Sequence, residues 1–355
     1  MSSRSLSASS FIKSLIYSII FSFSIVFPTF SKEKEEGEKF NPAEMIVHHI
    51  GDAYDWHLVT IGGHHYSIPL PIILYSSDRG IEVFSSGKLQ AHGEHESGEY
   101  NGYKLDDHGH LSSTEGRKFY DFSITKNAAS MMLGGLIICI IFLSVASGFK
   151  KNSGKAPRGL QSFMEPLILY IRDDVAVPNI GEKKADKFLP YLLTLFFFIW
   201  INNLLGLIPT GANASGNIAF TFVLALLTAI IVNFSGNRHY WGHIFWTPGV
   251  PLWLRPIMLP VELIGIFTKP FALMIRLFAN MTAGHIVILS LFSFIFIFES
   301  FLVGIPAGAF VIAMTFMELF VGLLQAYIFT ILAALFIGIA VEEHHEEGHA
   351  HAEKH

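Results

Sequence analysis

The last third of the chain carries two apolar segments, from about Pro260 to Phe298 and from about Ile305 to Val341, each nearly forty residues long. In hydrocarbon the backbone must satisfy its own hydrogen bonds, so segments of this kind fold as helices. As helices they would be close to 55–60 Å long, against a hydrocarbon core of about 30 Å. They must therefore tilt strongly, bend, or lie partly along the membrane. Glu299, Gly304 and Pro306 mark a turn between them, which makes the pair an antiparallel hairpin.

Inside the first segment lies Lys269-Pro270-Phe271-Ala272-Leu273-Met274-Ile275-Arg276-Leu277-Phe278-Ala279-Asn280-Met281-Thr282-Ala283-Gly284-His285. Arg276 therefore sits deep in a membrane span. A guanidinium does not deprotonate in a protein, so it cannot escape the cost by neutralising. Holding it at mid-bilayer costs between about 3 and 17 kcal/mol, depending on the reference system. Snorkelling would relieve that cost. Roughly fifteen largely apolar residues on either side, about 20 Å of helix each way, put the interface beyond the side chain's reach. Such a cation requires a carboxylate partner or a wet cavity, and it is a candidate functional residue.

Residues level with each other in a regular antiparallel hairpin are equidistant from its turn. Asn280 with Gln325, and His285 with Glu318, both centre near Leu302, at the expected turn. Two polar rungs are thus expected to face each other. Gln325 follows Glu318 by two helical turns, and Asn280 follows Arg276 by one, forming a polar stripe on otherwise apolar helices. A hydrogen-bonded pair can simply hold two helices together. Ionisable groups within a membrane more often mark a route for ions or protons.

With 51% hydrophobic and 15% charged residues, the chain falls among polytopic membrane proteins. A net charge of -5 argues against a nucleic-acid partner. The single cysteine, Cys139, excludes an intrachain disulfide or a cysteine-based metal cluster. No phosphate-binding loop with P-loop spacing is present, and no cofactor is expected.

Residues 1–31 read as a secretory signal: Arg4 and Lys13 are basic, Leu15 to Phe27 is apolar, and Thr29-Phe30-Ser31 supplies small residues. An uncleaved first span is the other reading. Residues 32–127 are polar and rich in Gly and His, and are expected to form a small exported region. Trp56 to Ile61, Tyr66 to Tyr75 and Ile81 to Phe84 read as strands, with a turn at Gly62-Gly63. His48, His49, His64, His65, His92, His95, His108 and His110 lack structural-zinc spacing with cysteines, which favours solvated histidines.

Residues 128–343 are expected to be the membrane domain. Met131 to Gly148 is its first span, and Lys150, Lys151, Lys155 and Arg158 follow, which places that loop in the cytoplasm. Gly159 to Ile171 is too short to cross and reads as an amphipathic surface helix. Arg172, Lys183, Lys184 and Lys187 stay on the basic side, Leu189 to Ile208 crosses outward, and Asn217 to Asn233 returns. A loop containing Trp and His follows, flanked by Arg238 and Arg255. Residues 344–355 form a His/Glu-rich cytoplasmic tail. The expected fold is an all-α polytopic membrane protein with about five membrane helices and a small extramembrane N-terminal region.

The stretch from Lys269 to His285 resembles the signature of subunit a of the rotary (F-type) ATP synthase membrane sector. Glu318 with Leu324-Gln325-Ala326-Tyr327-Ile328-Phe329, and the Glu342-Glu343-His344 end, resemble it as well. The likeness is specific from about Pro260 to His344 and looser over about Met131 to Asn233, where Asn203 and Pro209 match family positions. It implies a proton-channel stator subunit, not catalytic on its own, in a bacterial inner membrane. Its N-terminal region would be periplasmic and its C-terminus cytoplasmic. The implied partners are the c-ring, the peripheral-stalk subunit b, the rest of the synthase and membrane lipid. Arg276 matches the arginine facing the ring carboxylate, and Asn280 and Gln325 match polar residues near it. His285 and Glu318 match an acid–base pair lining the outer half-channel, with acid and base in the reverse order to some members. Gly206 stands where some relatives carry an acidic residue. Lys269, Glu262 and Asn203 are supporting polar candidates. Two rival readings are a secondary transporter, for which no inverted repeat is found, and a membrane-anchored, His-rich metal-binding module.

Overall fold

A computed structural model describes residues 42, 46, 50–61, 64–89, 98–106, 109–151, 156–208, 211–246, 251, 253–298 and 301–342. The signal-like segment, the Gly62-Gly63 turn, most of the N-terminal histidines and the His/Glu-rich tail lie outside the described residues. The chain divides into two compact units. One comprises Met1–Leu136, Ile201–Ala214 and Met281–Phe320; the other comprises Ile137–Trp200, Ser215–Asn280 and Val321–His355.

The first unit opens with a β region. β1 (Asp55–Ile61) and β2 (His64–Pro69) pair antiparallel, Asp55 opposite Pro69 and Ile61 opposite His64. The single strand expected over Tyr66 to Tyr75 is in fact broken at Leu70. Pro69 and Pro71 have no N–H to give to a ladder. Leu70 turns aside to Ser86, donating its N–H to Oγ (3.0 Å) and accepting from the Ser86 N–H (2.9 Å). β3 (Pro71–Ser76) thereby leaves the first ladder and pairs with β4 (Gly80–Ser85), Ile73 opposite Val83 and Tyr75 opposite Ile81. β5 (Tyr103–Leu105) and β6 (Leu111–Ser113) form a short hairpin, and β7 (Phe119–Asp121) pairs with the free edge of β3. Ile72, Leu74, Phe84, Leu89 and Tyr103 form the core beneath this sheet.

α1 (Lys126–Lys151) grows directly out of the β region. Its opening N–H groups, which a helix leaves unpaired, find Ala53 O (2.8 Å from Lys126 N) and Asp52 Oδ1 (3.1 Å from Asn127 N). α2 (Leu160–Tyr170) follows, and the sequence reading ends this surface helix at Ile171. The structure instead carries it through a wider, π-type turn (Ile171–Ala176) into α3 (Val177–Ile180). Pro178 has no N–H for the regular ladder, and the Asn179 side chain donates to Val175 O at 2.7 Å. Gly181, at φ 92°, ends the run.

α4 (Glu182–Gly206) starts earlier than expected, with Pro190 inside it. α5 (Ile218–Ser235) is capped by Asn217, whose side chain accepts from Ala219 N–H at 2.9 Å. The Trp/His loop contains a helix the sequence reading missed, α6 (Arg238–Phe245). Eight residues of mixed polarity carry too little periodicity to announce it. α7 (Arg255–Phe298) and α8 (Phe301–Val341) are the long pair. α7 begins five residues before Pro260, because Pro256 suits a first helical turn. Among the described residues five helices, α1, α4, α5, α7 and α8, are long and apolar enough to cross a membrane, so the chain is an all-α polytopic membrane protein bearing a small β region.

Within the second unit the end of α8 is tightly held. Lys184 Nζ and Asn237 Nδ2 donate to Val341 O (2.7 and 2.8 Å), and Asn237 N–H donates to Ala340 O (2.9 Å). Gly338 makes this approach possible: a Cβ there would lie 1.9 Å from the Asn179 carbonyl oxygen.

Candidate functional site

In the first unit the hairpin register follows the sequence expectation. Phe292 packs against Val311, flanked by Ile288, Leu291 and Ile295. Two turns earlier on α7, His285 Nδ1 bonds Glu318 Oε1 of α8. Both pairs centre on the step from Phe301 to Leu302. Both side chains are buried. Gly284 leaves the space for the carboxylate: a Cβ at that position would come within 3.0 Å of Glu318 Oε1.

The other ring nitrogen fixes the proton count. His285 Nε2 lies 3.0 Å from the Gly206 carbonyl oxygen at the end of α4. A carbonyl can only accept, so Nε2 carries a hydrogen. A neutral imidazole then presents a bare Nδ1 to a protonated Glu318, whereas an imidazolium presents Nδ1–H to a carboxylate. Either way the His–Glu contact holds one transferable proton. Glu318 Oε2 is buried and has no hydrogen-bond partner among the described residues. Gly206 is a participant that sequence reasoning missed, because a backbone carbonyl leaves no signature in residue type.

Asn203 is buried near the end of α4 beside Asn202. Asn202 packs against α1 at Gly134, where a Cβ would lie 2.8 Å from its Nδ2. Polar side chains at such close helix contacts are typical membrane packing devices.

The second unit holds the remaining candidates. α7 turns Leu273, Met274 and Leu277 inward and exposes Ala272, Arg276, Ala279 and Asn280. Arg276 has 21 helical residues before it and 22 after it in α7. Among the described residues it makes no ion pair or hydrogen bond. The alanines one turn away on each side leave room for another helix to approach closely. Gln325, in contrast, is buried. The expected facing of Asn280 and Gln325 is not what the structure has: Asn280 points out, Gln325 points in, and no hydrogen bond joins them. A register argument fixes which residues are level, but not the rotation of each helix about its axis. Lys269 is exposed, with Nζ 5.5 Å from the centre of the Phe336 ring. Glu262 is half-buried seven residues before it. Among the described residues there is no group of three or more His, Cys, Asp or Glu side chains able to hold a metal.

The ATP synthase A chain family matches residues 128–338, more than half of the chain. The chain belongs to that family. It is similar to ATP synthase subunit a of Chloroherpeton thalassium, 44% identical over 244 residues that cover 66% of this chain and 72% of that one. It is also similar to ATP synthase subunit a 2 of Chlorobaculum tepidum, 48% identical over 237 residues, 65% and 66% of the two chains. As a subunit a of the F-type ATP synthase, the chain is a multi-pass membrane component of that complex and takes part in ATP synthesis and proton transport. A second family, described as a domain of unknown function (DUF8433), matches residues 45–131 and so covers the β region.

Proposed function

We propose that this subunit conducts protons through two half-channels to and from the carboxylate of a rotating c-ring, so that proton flow turns the ring. The observation that carries the reading is Arg276, a permanent cation exposed midway along a membrane helix with no ion-pair or hydrogen-bond partner among the described residues. A charge so costly in lipid is kept where something outside the chain meets it.

A ring carboxylate in lipid stays protonated, its pKa raised by desolvation. At about 4 Å from a guanidinium, with an effective dielectric near 20, its anion gains about 4 kcal/mol. That corresponds to about three pKa units, enough to release the proton beside Arg276. The same fixed positive charge repels a hydronium ion and keeps the two half-channels from joining. His285 and Glu318 form the relay in the outer half-channel: their single shared proton moves between Nδ1 and Oε1, and Oε2 offers the next acceptor. Asn280, Gln325, Lys269, Glu262 and Asn203 act as supporting polar residues. The subunit carries no ATP chemistry itself, and peripheral-stalk subunit b holds it against rotation. Residues 32–127 lie on the periplasmic side of a bacterial inner membrane after a leader over residues 1–31. The tail from residue 344 lies in the cytoplasm, as the Lys/Arg-rich loops require.

The test is Arg276→Ala in the assembled synthase, reading ATP synthesis driven by an imposed proton gradient. Synthesis falls to background if Arg276 discharges the ring. Synthesis at the normal coupled rate overturns the role.

A further inference from the structure

The sheet β4-β3-β7 is apolar on both faces, and Ile72, Leu74 and Phe84 line its core side. Its two carboxylates lie on that same side: Glu82, half-buried, accepts from the Tyr103 hydroxyl (2.8 Å), and Asp121, exposed at the sheet edge, accepts from the Tyr54 hydroxyl. The opposite face is apolar. Pairing puts Val83, Ile73 and Phe122 in one row and Ile81, Tyr75 and Tyr120 in the next. Ile81, Val83, Tyr120 and Phe122 are 64–72% exposed, and Tyr75 is 44% exposed. A one-sided antiparallel sheet ordinarily turns its polar residues to water. A contiguous apolar surface of this kind marks an interaction site.

We propose that this face rests in the headgroup region of the bilayer, so that the β region is a membrane-surface module and not a freely solvated one. The occupant follows from what the sheet is attached to. β7 runs on through Phe122 and Ile124, whose N–H groups bond Ile73 O and Pro71 O, and reaches the first residue of α1 at Lys126. From Phe122 to Lys126 an extended chain spans at most about 14 Å. The polar interface of a bilayer is itself about 5–7 Å deep on each side. The bonds from Ala53 and Asp52 to the first turn of α1 hold the module to the helix end without a tether. The face is graded as well. The row with Val83, Ile73 and Phe122 lies at the helix end of the sheet, whereas Asp78 and Arg79 occupy the turn at its far end. Phe122 in the near row, with Tyr75 and Tyr120 in the row beyond it, suits the zone where aromatic rings meet headgroups.

The experiment uses single nitroxides in the complete synthase reconstituted into phosphatidylcholine/phosphatidylglycerol nanodiscs. Cys139→Ser removes the native thiol, and labels are placed by Val83→Cys, Phe122→Cys, Ile81→Cys and Tyr120→Cys, with Lys104→Cys as an exposed reference on another strand. Oxygen accessibility relative to that of a water-soluble nickel chelate is expected to exceed the Lys104 value severalfold at all four sites. It should be higher at 83 and 122 than at 81 and 120. Ratios equal to that at 104 overturn the proposal, because the face is then in water. Labels immobilised and shielded from both reagents overturn it too, because a protein then covers the face. Photolabelling of the unsubstituted complex with a lipid carrying a headgroup diazirine provides the second reading. Adducts on the peptides bearing Tyr75 and Tyr120 support the proposal, and their absence contradicts it.

Discussion

α7 carries two polar groups that solve the membrane problem in opposite ways. His285 is buried, and both its ring nitrogens are matched, one by Glu318 and one by the Gly206 carbonyl. Arg276 is exposed, and among the described residues nothing in its own chain answers it. The first arrangement is complete within one polypeptide and stabilises it. The second has no such answer among the described residues, and on the proposed function a neighbour supplies it. A charged group that a chain satisfies itself belongs to its architecture as well as its function. One that it leaves exposed in lipid belongs to function alone.

That contrast predicts different failures. Arg276→Ala removes ATP synthesis entirely while changing the thermal stability of the assembled subunit by no more than about 0.5 kcal/mol, since no ion pair or hydrogen bond among the described residues is lost. Arg276→Lys fails as well, because an ammonium lacks the planar fork that meets a carboxylate; normal synthesis in this variant would erase the distinction between a specific guanidinium and any fixed cation. His285→Ala behaves differently, lowering synthesis and also destabilising the subunit by about 1–3 kcal/mol, the cost of leaving buried Glu318 without its partner. A thermal unfolding scan in detergent separates the two cases: equal stability losses would mean that Arg276 is internally held after all.

Exchanging the pair, His285→Glu with Glu318→His, is expected to recover more synthesis than either single change, but less than the native chain, because Gly206 O would then face a carboxyl group. A double variant no better than its parents would deny direct pairing. The smallest effect is expected of Gly284→Ala. Its Cβ would press on Glu318 Oε1 and force the carboxylate off its rotamer, costing about 0.5–1.5 kcal/mol. A several-fold slower proton flux measured with a pH-sensitive dye checks it.

Much of this was legible in the residues. The five membrane helices follow from apolar runs of sufficient length, and the level pairing of His285 with Glu318 follows from the distance of each from the turn. Other features were not legible. The outward rotation of Asn280 and the inward rotation of Gln325 depend on how each long helix rolls against its neighbours, which spacing does not encode. The Gly206 carbonyl is a property of backbone position. The break at Leu70 arises because Ser86, sixteen residues on, captures both backbone groups that a continuous strand would have used. α6 is short, and its cohesion comes from tertiary bonds such as Tyr240 to Asn233 (3.2 Å), not from a periodic apolar face.

The most direct test is a high-resolution structure of the assembled membrane sector, read at Arg276. A carboxylate from a c-ring helix should lie opposite the guanidinium, near Ala272 and Ala279, either in direct contact or through a single water. A guanidinium paired with a carboxylate of its own chain, or reaching only lipid headgroups, would contradict the account.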